Sequence, residues 1–267
     1  MDRVTSKDGT SIAYTREGRG PAVVLVGGAL DDGSENAPLA PAMAEHFTVY
    51  NYARRGRGES GDTQPYAVER ELEDIAALIA GAGGSACVFG ASSGGALALE
   101  AAAAGLAIDR LAVYEVPYFV EDGMLQRWQE YVSQLGNVVA GGRPGDALAL
   151  FHRLTGFSDE HIAAARSSPA WSAAEALEHT LAYDAAVLGD GRPLTTRLAQ
   201  ISQPTLVATG RATPDSPDAE MQSGFLNQGA DAIAASIPQA ERQVIAGVGH
   251  MVDATQVAPV LTRFFTA

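Results

Sequence analysis

The chain has 267 residues, 46% of them hydrophobic and 19% charged, with a net charge of −14 and a pI near 4.7. That length suits one large α/β domain with an insertion. The acidity excludes a basic nucleic-acid surface and docking to an anionic membrane. The single cysteine, Cys87, excludes an intrachain disulfide and suits a reducing compartment. The first residues, Met1 to Ser6, carry no apolar signal core, and no run approaches the ~18 apolar residues of a membrane span. The expectation is a soluble cytoplasmic protein.

The elements follow in chain order. Val4 to Ser6, a turn at Lys7-Asp8-Gly9, and residues 11–14 predict a strand, a turn and a strand. Residues 21–26 are continuously apolar and end in Gly27-Gly28, which suits a parallel strand buried on both faces. Residues 47–52 form another strand, ending at the glycine- and arginine-rich stretch 53–60. Val68, Leu72, Ile75 and Ile79 recur at helical spacing, and Gly81 ends that helix. Residues 86–89 are a strand, and 96–101 an alanine-rich helical run. Residues 111–116 are a strand stopped by Pro117. From Tyr118 to about Gly191 the strand signal disappears. That stretch predicts several short helices rich in bulky apolar residues, with Ser172 and Glu175 at capping-box spacing. Alternation then resumes: strand 204–209, helix from Asp218 to about Ile237, strand 242–246, helix 254–265. Strand–helix alternation means a mostly parallel sheet with helices on both faces, so the fold class is α/β. Residues 1–117 and 192–267 form the core, and 118–191 a helical cap inserted at the carboxyl edge of the sheet.

The chemistry concentrates in Gly90-Ala91-Ser92-Ser93-Gly94, which reads G-x-S-x-G between a strand and a helix. A serine at the apex of such a turn projects its hydroxyl away from the sheet, within reach of a base. Ala91 to Gly95 also fits the looser small-x-Ser-x-small pattern, which would select Ser93. Ser92 is preferred because it keeps glycine at both outer positions and leaves Ser93 as the first helical residue, its N–H aimed at a developing oxyanion. Serine needs a base. His46, His152, His161 and His179 lie in helical or helix-end contexts, whereas His250 follows a strand in a glycine-bearing loop. No dinucleotide fingerprint, phosphate loop or clustered Cys/His spacing appears, so no cofactor and no metal are implied.

This arrangement resembles the α/β-hydrolase superfamily over nearly the whole chain. Four features carry the resemblance, in order: Gly27-Gly28-Ala29, where many members have an oxyanion loop; Arg55-Gly56-Arg57-Gly58-Glu59-Ser60; the elbow at Ser92; and Gly247-Val248-Gly249-His250 after the last strand. The resemblance implies an oxyanion hole from the N–H groups of Ala29 and Ser93, with Gly28 allowing close approach. It assigns Arg54, Arg55 and Arg57 to helix ends or carboxylate pairing rather than substrate binding. It implies an acid three residues beyond Gly210, yet Thr213 stands there. Glu115, ending the preceding strand, is one alternative, since some lipases of this superfamily carry their acid at the end of that strand. Asp215 is the other, unless a different acid serves or none does. Relatives that attack with Asp are excluded by Ser92.

The reading is a cofactor-independent serine hydrolase of small, largely apolar esters or lactones, acting through an acyl-enzyme. Ser92 attacks, His250 moves the proton, Glu115 orients His250, and cap aromatics such as Trp128 line the substrate pocket. The expected partner is a small molecule, with no nucleic acid or membrane, and the oligomeric state is open. The alanine, glycine and arginine bias suggests a high-GC bacterial source. The departure at Thr213 motivates the alternatives: a lyase, cyclase or cofactor-free oxygenase using His250 as base, or a ligand-binding protein with little turnover.

Overall fold

In the computed structural model, which describes residues 1–141, 143–213 and 222–267, eight strands form one sheet. In chain order they are β1 (Asp2–Thr5), β2 (Ser11–Gly18), β3 (Ala22–Val26), β4 (Thr48–Tyr52), β5 (Ala86–Ala91), β6 (Ile108–Tyr114), β7 (Thr205–Arg211) and β8 (Ala240–Ala246). Their spatial order is β1-β2-β4-β3-β5-β6-β7-β8. The β1–β2 and β2–β4 pairs are antiparallel, and every later pair is parallel.

The apolar runs explain the middle of this sheet. β3 and β5 are buried at every residue. Because side chains alternate between faces, Val24 and Val26 enter one hydrophobic core, with Ile75, Leu97 and Ile233. Val23 and Leu25 enter the other, with Leu39, Phe47, Leu261 and Phe264. β8 is one of the two edge strands, and only Ile245 in it is buried.

Helices cover both faces. They include α1 (Leu39–Met43), α2 (Val68–Gly81) and α3 (Ser93–Ala103). Between β6 and β7 run α4 (Asp122–Gly141), α5 (Asp146–Leu154), α6 (Asp159–Ala165), α7 (Pro169–Glu175), α8 (Leu181–Leu188) and α9 (Thr195–Leu198). A helical turn over Gln222–Leu226, broken at Gly224, leads to the helix Asn227–Ser236, and Ala254–Thr266 closes the chain.

Three local expectations change. The segment after β6 is not only short helices: α4 has 20 residues, with Leu125, Trp128, Tyr131 and Leu135 on its buried stripe. Ser172 and Glu175 do not open a helix. Ser168 caps α7 by accepting from the Trp171 N–H, Pro169 takes the first helical position, and Glu175 instead accepts from the Trp171 indole. The buried face of α2 is rotated to Glu71, Asp74, Ile75, Leu78 and Ile79, because buried arginines draw two carboxylates inward. The start of the helix expected from Asp218 lies outside the described residues, and Gln222 to Ser236 is helical with a break at Gly224.

All the parallel strands end at one edge. The segments that leave that edge carry Gly28, Arg54, Ser92, Glu115 and His250. In open α/β sheets this edge is where ligands bind.

Candidate active site

The elbow is built by steric exclusion. Ser92 sits between β5 and α3 at φ 53° and ψ −128°. A Cβ at Gly90 would run into the Gly94 carbonyl, and one at Gly94 into the carbonyl oxygens of Val26 and Gly27. Both outer glycines are therefore required. The Ser92 N–H donates to the Tyr114 carbonyl at 2.8 Å, which ties the turn to β6. Ser92 is half-buried. Ser93 is 2% exposed, and its hydroxyl donates to Asp184 Oδ1 at 2.8 Å. The two candidate serines thus have different surroundings: Ser92 is reachable and Ser93 is sealed.

Beside the elbow, Glu115 continues β6 at φ 50°. Its N–H donates to the Ala208 carbonyl at 3.0 Å. Its side chain is fully buried. Oε1 accepts from the Gly210 N–H at 2.7 Å, and Oε2 lies 2.7 Å from His250 Nδ1. A carboxylate at that distance holds the imidazole in the tautomer with Nδ1 protonated, which makes Nε2 the proton-accepting nitrogen. The loop bearing His250 is held further by the Tyr114 hydroxyl, which donates to the Gly249 carbonyl. Among the described residues no hydrogen bond joins the Ser92 hydroxyl to His250. Such contacts are commonly long before substrate binds. Thr213 is exposed at the end of the described stretch, and Asp215 lies outside the described residues.

Above the elbow, the loop after β3 approaches closely. A Cβ on Gly28 would lie 3.2 Å from Ser92 Cβ and 3.8 Å from its Oγ. The Gly28–Ala29 peptide therefore lies against Ser92. Among the described residues neither the Ala29 N–H nor the Ser93 N–H has an acceptor. The second is one of the unpaired donors at a helix N-terminus. Among the described residues the non-glycine residues with positive φ are Leu30, Ser92 and Glu115, all at this edge. Backbone strain of this kind is stored where surrounding structure enforces it.

Glu35, half-buried on the same loop, has its acidity weakened by burial and by the Asp31 carboxylate. Together they push it up to about 7 against the opposing pull of His250. Arg54 and Arg57 are buried among carboxylates. Arg54 forks onto Glu71 through Nε and Nη2, both at 2.7 Å, and reaches Asp184 Oδ1 at 2.7 Å. Arg55 pairs with Asp74 and Asp8. Among the described residues no group of three or more His, Cys, Asp or Glu side chains has metal-holding geometry.

Trp128 does not stand at an open surface. It is 4% exposed, its indole N–H donates to the Gly189 carbonyl at 3.0 Å, and Phe119 and Tyr131 pack on its ring. Tyr114, Asp184 and Glu35 were not anticipated. For Asp184 a signal existed: it is the one acid in the otherwise apolar α8, the same signal that singled out Glu115.

Known proteins point the same way as this geometry. A pimeloyl-[acyl-carrier protein] methyl ester esterase of Xanthomonas campestris pv. campestris (strain B100) is 33% identical, over 94% of this chain and 97% of that protein. The polyketide synthase ThaQ of Burkholderia thailandensis is 29% identical over 264 residues, but the chain spans only 12% of its length. Among solved structures, an alpha/beta hydrolase from Sphaerobacter thermophilus DSM 20745 is 47% identical with TM-score 0.86, covering 99% of this chain and 100% of that one. The enol-lactonase from Burkholderia xenovorans LB400 shares the fold, at 20% identity and TM-score 0.72 over the whole of both chains. A model of the alpha/beta hydrolase family matches residues 23–260, and with the elbow, the sheet order and the histidine loop this makes the chain a member of the alpha/beta hydrolase family.

Proposed function

We propose that the protein is a serine hydrolase of small, largely apolar carboxylic esters or lactones. The observation that carries this reading is the 2.7 Å contact between Glu115 Oε2 and His250 Nδ1, one strand away from the elbow serine. In the reaction, His250 Nε2 takes the Ser92 proton as Oγ attacks the substrate carbonyl. Glu115 stabilises the imidazolium that forms. The Ala29 and Ser93 N–H groups receive the oxyanion. Collapse of the tetrahedral intermediate passes the proton from His250 to the leaving alcohol and leaves an acyl-Ser92 ester. Water, deprotonated by the same histidine, then releases the acid. For a lactone the leaving alcohol stays attached, and the product is a hydroxy acid. Residues 118–191 serve as the cap over this edge, and 1–117 with 192–267 as the core. The alternative of non-hydrolytic chemistry drew on the missing acid at Thr213. A buried carboxylate on His250 removes that motive.

Ester and lactone hydrolysis is supported by the names of the relatives, an esterase and an enol-lactonase. The test is covalent. A fluorophosphonate probe labels the wild-type chain at Ser92 and fails to label Ser92→Ala, which also loses hydrolysis of short-chain aryl esters by about 10³-fold or more. A wild-type chain that hydrolyses aryl esters without labelling, or an active Ser92→Ala, overturns the reading.

A further inference from the structure

Arg57 and Asp184 lie outside the reacting triad, yet their contacts converge on the residues that would bind the oxyanion. Arg57 is fully buried. Its Nη1 donates to the Gly28 carbonyl at 2.9 Å and its Nη2 to Asp184 Oδ2 at 2.8 Å. Asp184 Oδ1 accepts from the Ser93 hydroxyl at 2.8 Å and from Arg54 Nη1 at 2.7 Å. The Gly28 carbonyl and the Ala29 N–H belong to one peptide plane and point in opposite directions. Holding that oxygen fixes where the N–H aims. A charged donor on the oxygen also polarises the plane and strengthens the N–H as a donor.

We propose that Arg57 and Asp184 are positioning residues for the oxyanion hole: one carboxylate from the segment between β6 and β7 holds Ser93 directly and the Gly28–Ala29 peptide through Arg57. The proposal rests on the serine-hydrolase reading. The charges are arranged for the task. Two arginines, Arg54 and Arg57, balance Glu71 and Asp184, so the acid beside the hole adds no net charge against the oxyanion. Buried ion networks are poor sources of stability, since apolar residues of similar volume often serve as well. Accurate placement of two donors accounts for this one better. Formation of the hole then depends on α8 being docked, because α8 supplies Asp184.

The same turn supplies a matched control. Arg55 is as fully buried and pairs with two carboxylates, Asp74 at 2.7 Å and Asp8 at 2.9 Å, but touches neither oxyanion segment. Lysine presents its three donors from one nitrogen, so it does not reproduce the planar fork by which Arg57 serves two acceptors from two nitrogens. Arg57→Lys and Arg55→Lys are compared in the full chain for thermal midpoint, for kcat and KM on an aryl ester, and for the rate of fluorophosphonate labelling. Arg57→Lys is expected to lose about 10- to 100-fold in both kcat and labelling rate, a fraction of what deleting a donor costs, with KM within about threefold. Arg55→Lys is expected to lower the midpoint comparably and to keep kcat within about twofold. Asp184→Asn should follow Arg57→Lys, because its NH₂ group must face either Arg57 or Arg54, both of which only donate, so one arm of the network is broken in either orientation. Asp184→Asn also decides the matter if Arg57→Lys fails to fold. Equal kcat in the two lysine variants, a change confined to KM, or an Asp184→Asn enzyme with wild-type kcat overturns the proposal while leaving a labelled Ser92 standing. Absence of labelling in the wild type overturns the hydrolase reading and this proposal with it.

Discussion

Glu115→Gln tests the site most sharply, because the structure dictates how the amide must sit. The wild-type carboxylate accepts from the Gly210 N–H through Oε1 and faces His250 Nδ1 through Oε2. A glutamine in the same buried slot has one oxygen and one NH₂ group. With the NH₂ toward Gly210, two donors meet in a dry site, at a cost of about 1–3 kcal/mol. The favoured orientation therefore turns the oxygen to Gly210 and the NH₂ to His250. That NH₂ demands an unprotonated Nδ1, which places the imidazole proton on Nε2, where the base must accept one from Ser92. The substitution imposes the wrong tautomer and removes the anion that stabilises the imidazolium. The expected loss is up to about 10⁴-fold in kcat, or about 5 kcal/mol at 1.36 kcal/mol per decade. The assay is kcat and kcat/KM on an aryl ester across pH 5–9, with thermal unfolding to confirm the fold. Asp215→Asn is expected to stay near wild type. A Glu115→Gln enzyme within tenfold of wild type would refute the reasoning, and a collapse confined to Asp215→Asn would move the acid to the loop after β7.

Gly94→Ala drives a Cβ into the Val26 and Gly27 carbonyls, two fixed backbone atoms. About 3 kcal/mol of overpacking, or ~6–12 °C in the thermal midpoint for a chain of this size, is expected; an unchanged midpoint contradicts it. Glu35 is pushed from 4.5 to about 7. As pH rises through this window the unfolded chain ionises first and the folded chain holds its proton, so stability falls by up to about 3 kcal/mol, the full loss being present above about pH 7. Glu35→Gln should therefore gain stability relative to wild type between pH 5 and pH 8, and a difference that stays flat with pH counts against the assignment. Cys87 is buried in β5, and that burial pushes its thiol up to about 11. Native protein should resist a disulfide-exchange reagent at pH 8 and react fully in guanidinium, since the thiolate is the reactive form; rapid reaction of the folded chain would disprove it.

The sheet was legible because its strands are locally extreme. Residues 22–26 and 86–91 are apolar at every position, and only a strand buried on both faces needs that. The elbow was legible because its glycines answer a local steric demand. Glu115 was legible for a different reason: a lone carboxylate at the end of an apolar strand must be bought a partner in the fold. His250 supplies it at 2.7 Å. What stayed hidden is set by long-range contact. Arg57 and Asp184 are 127 positions apart and carry no mutual spacing signal. The rotated face of α2 depends on which carboxylates Arg54 and Arg55 draw inward. Five-residue α1 is too short to show a period. Trp128 read as a pocket wall because bulk and aromaticity serve a packed interior and a binding surface equally.

The bond from the Gly210 N–H to Glu115 Oε1 joins two neighbouring strand ends. β7 contributes no side chain to this contact; its backbone clamps the carboxylate that β6 presents to His250. The register between β6 and β7, in which Tyr114 lies opposite Ala208, thereby sets where the charge meets the imidazole. A one-residue slip between these strands would move the Gly210 donor by about 3.3 Å, more than a hydrogen bond tolerates, so the seat of the charge is a property of strand pairing as much as of the acid itself.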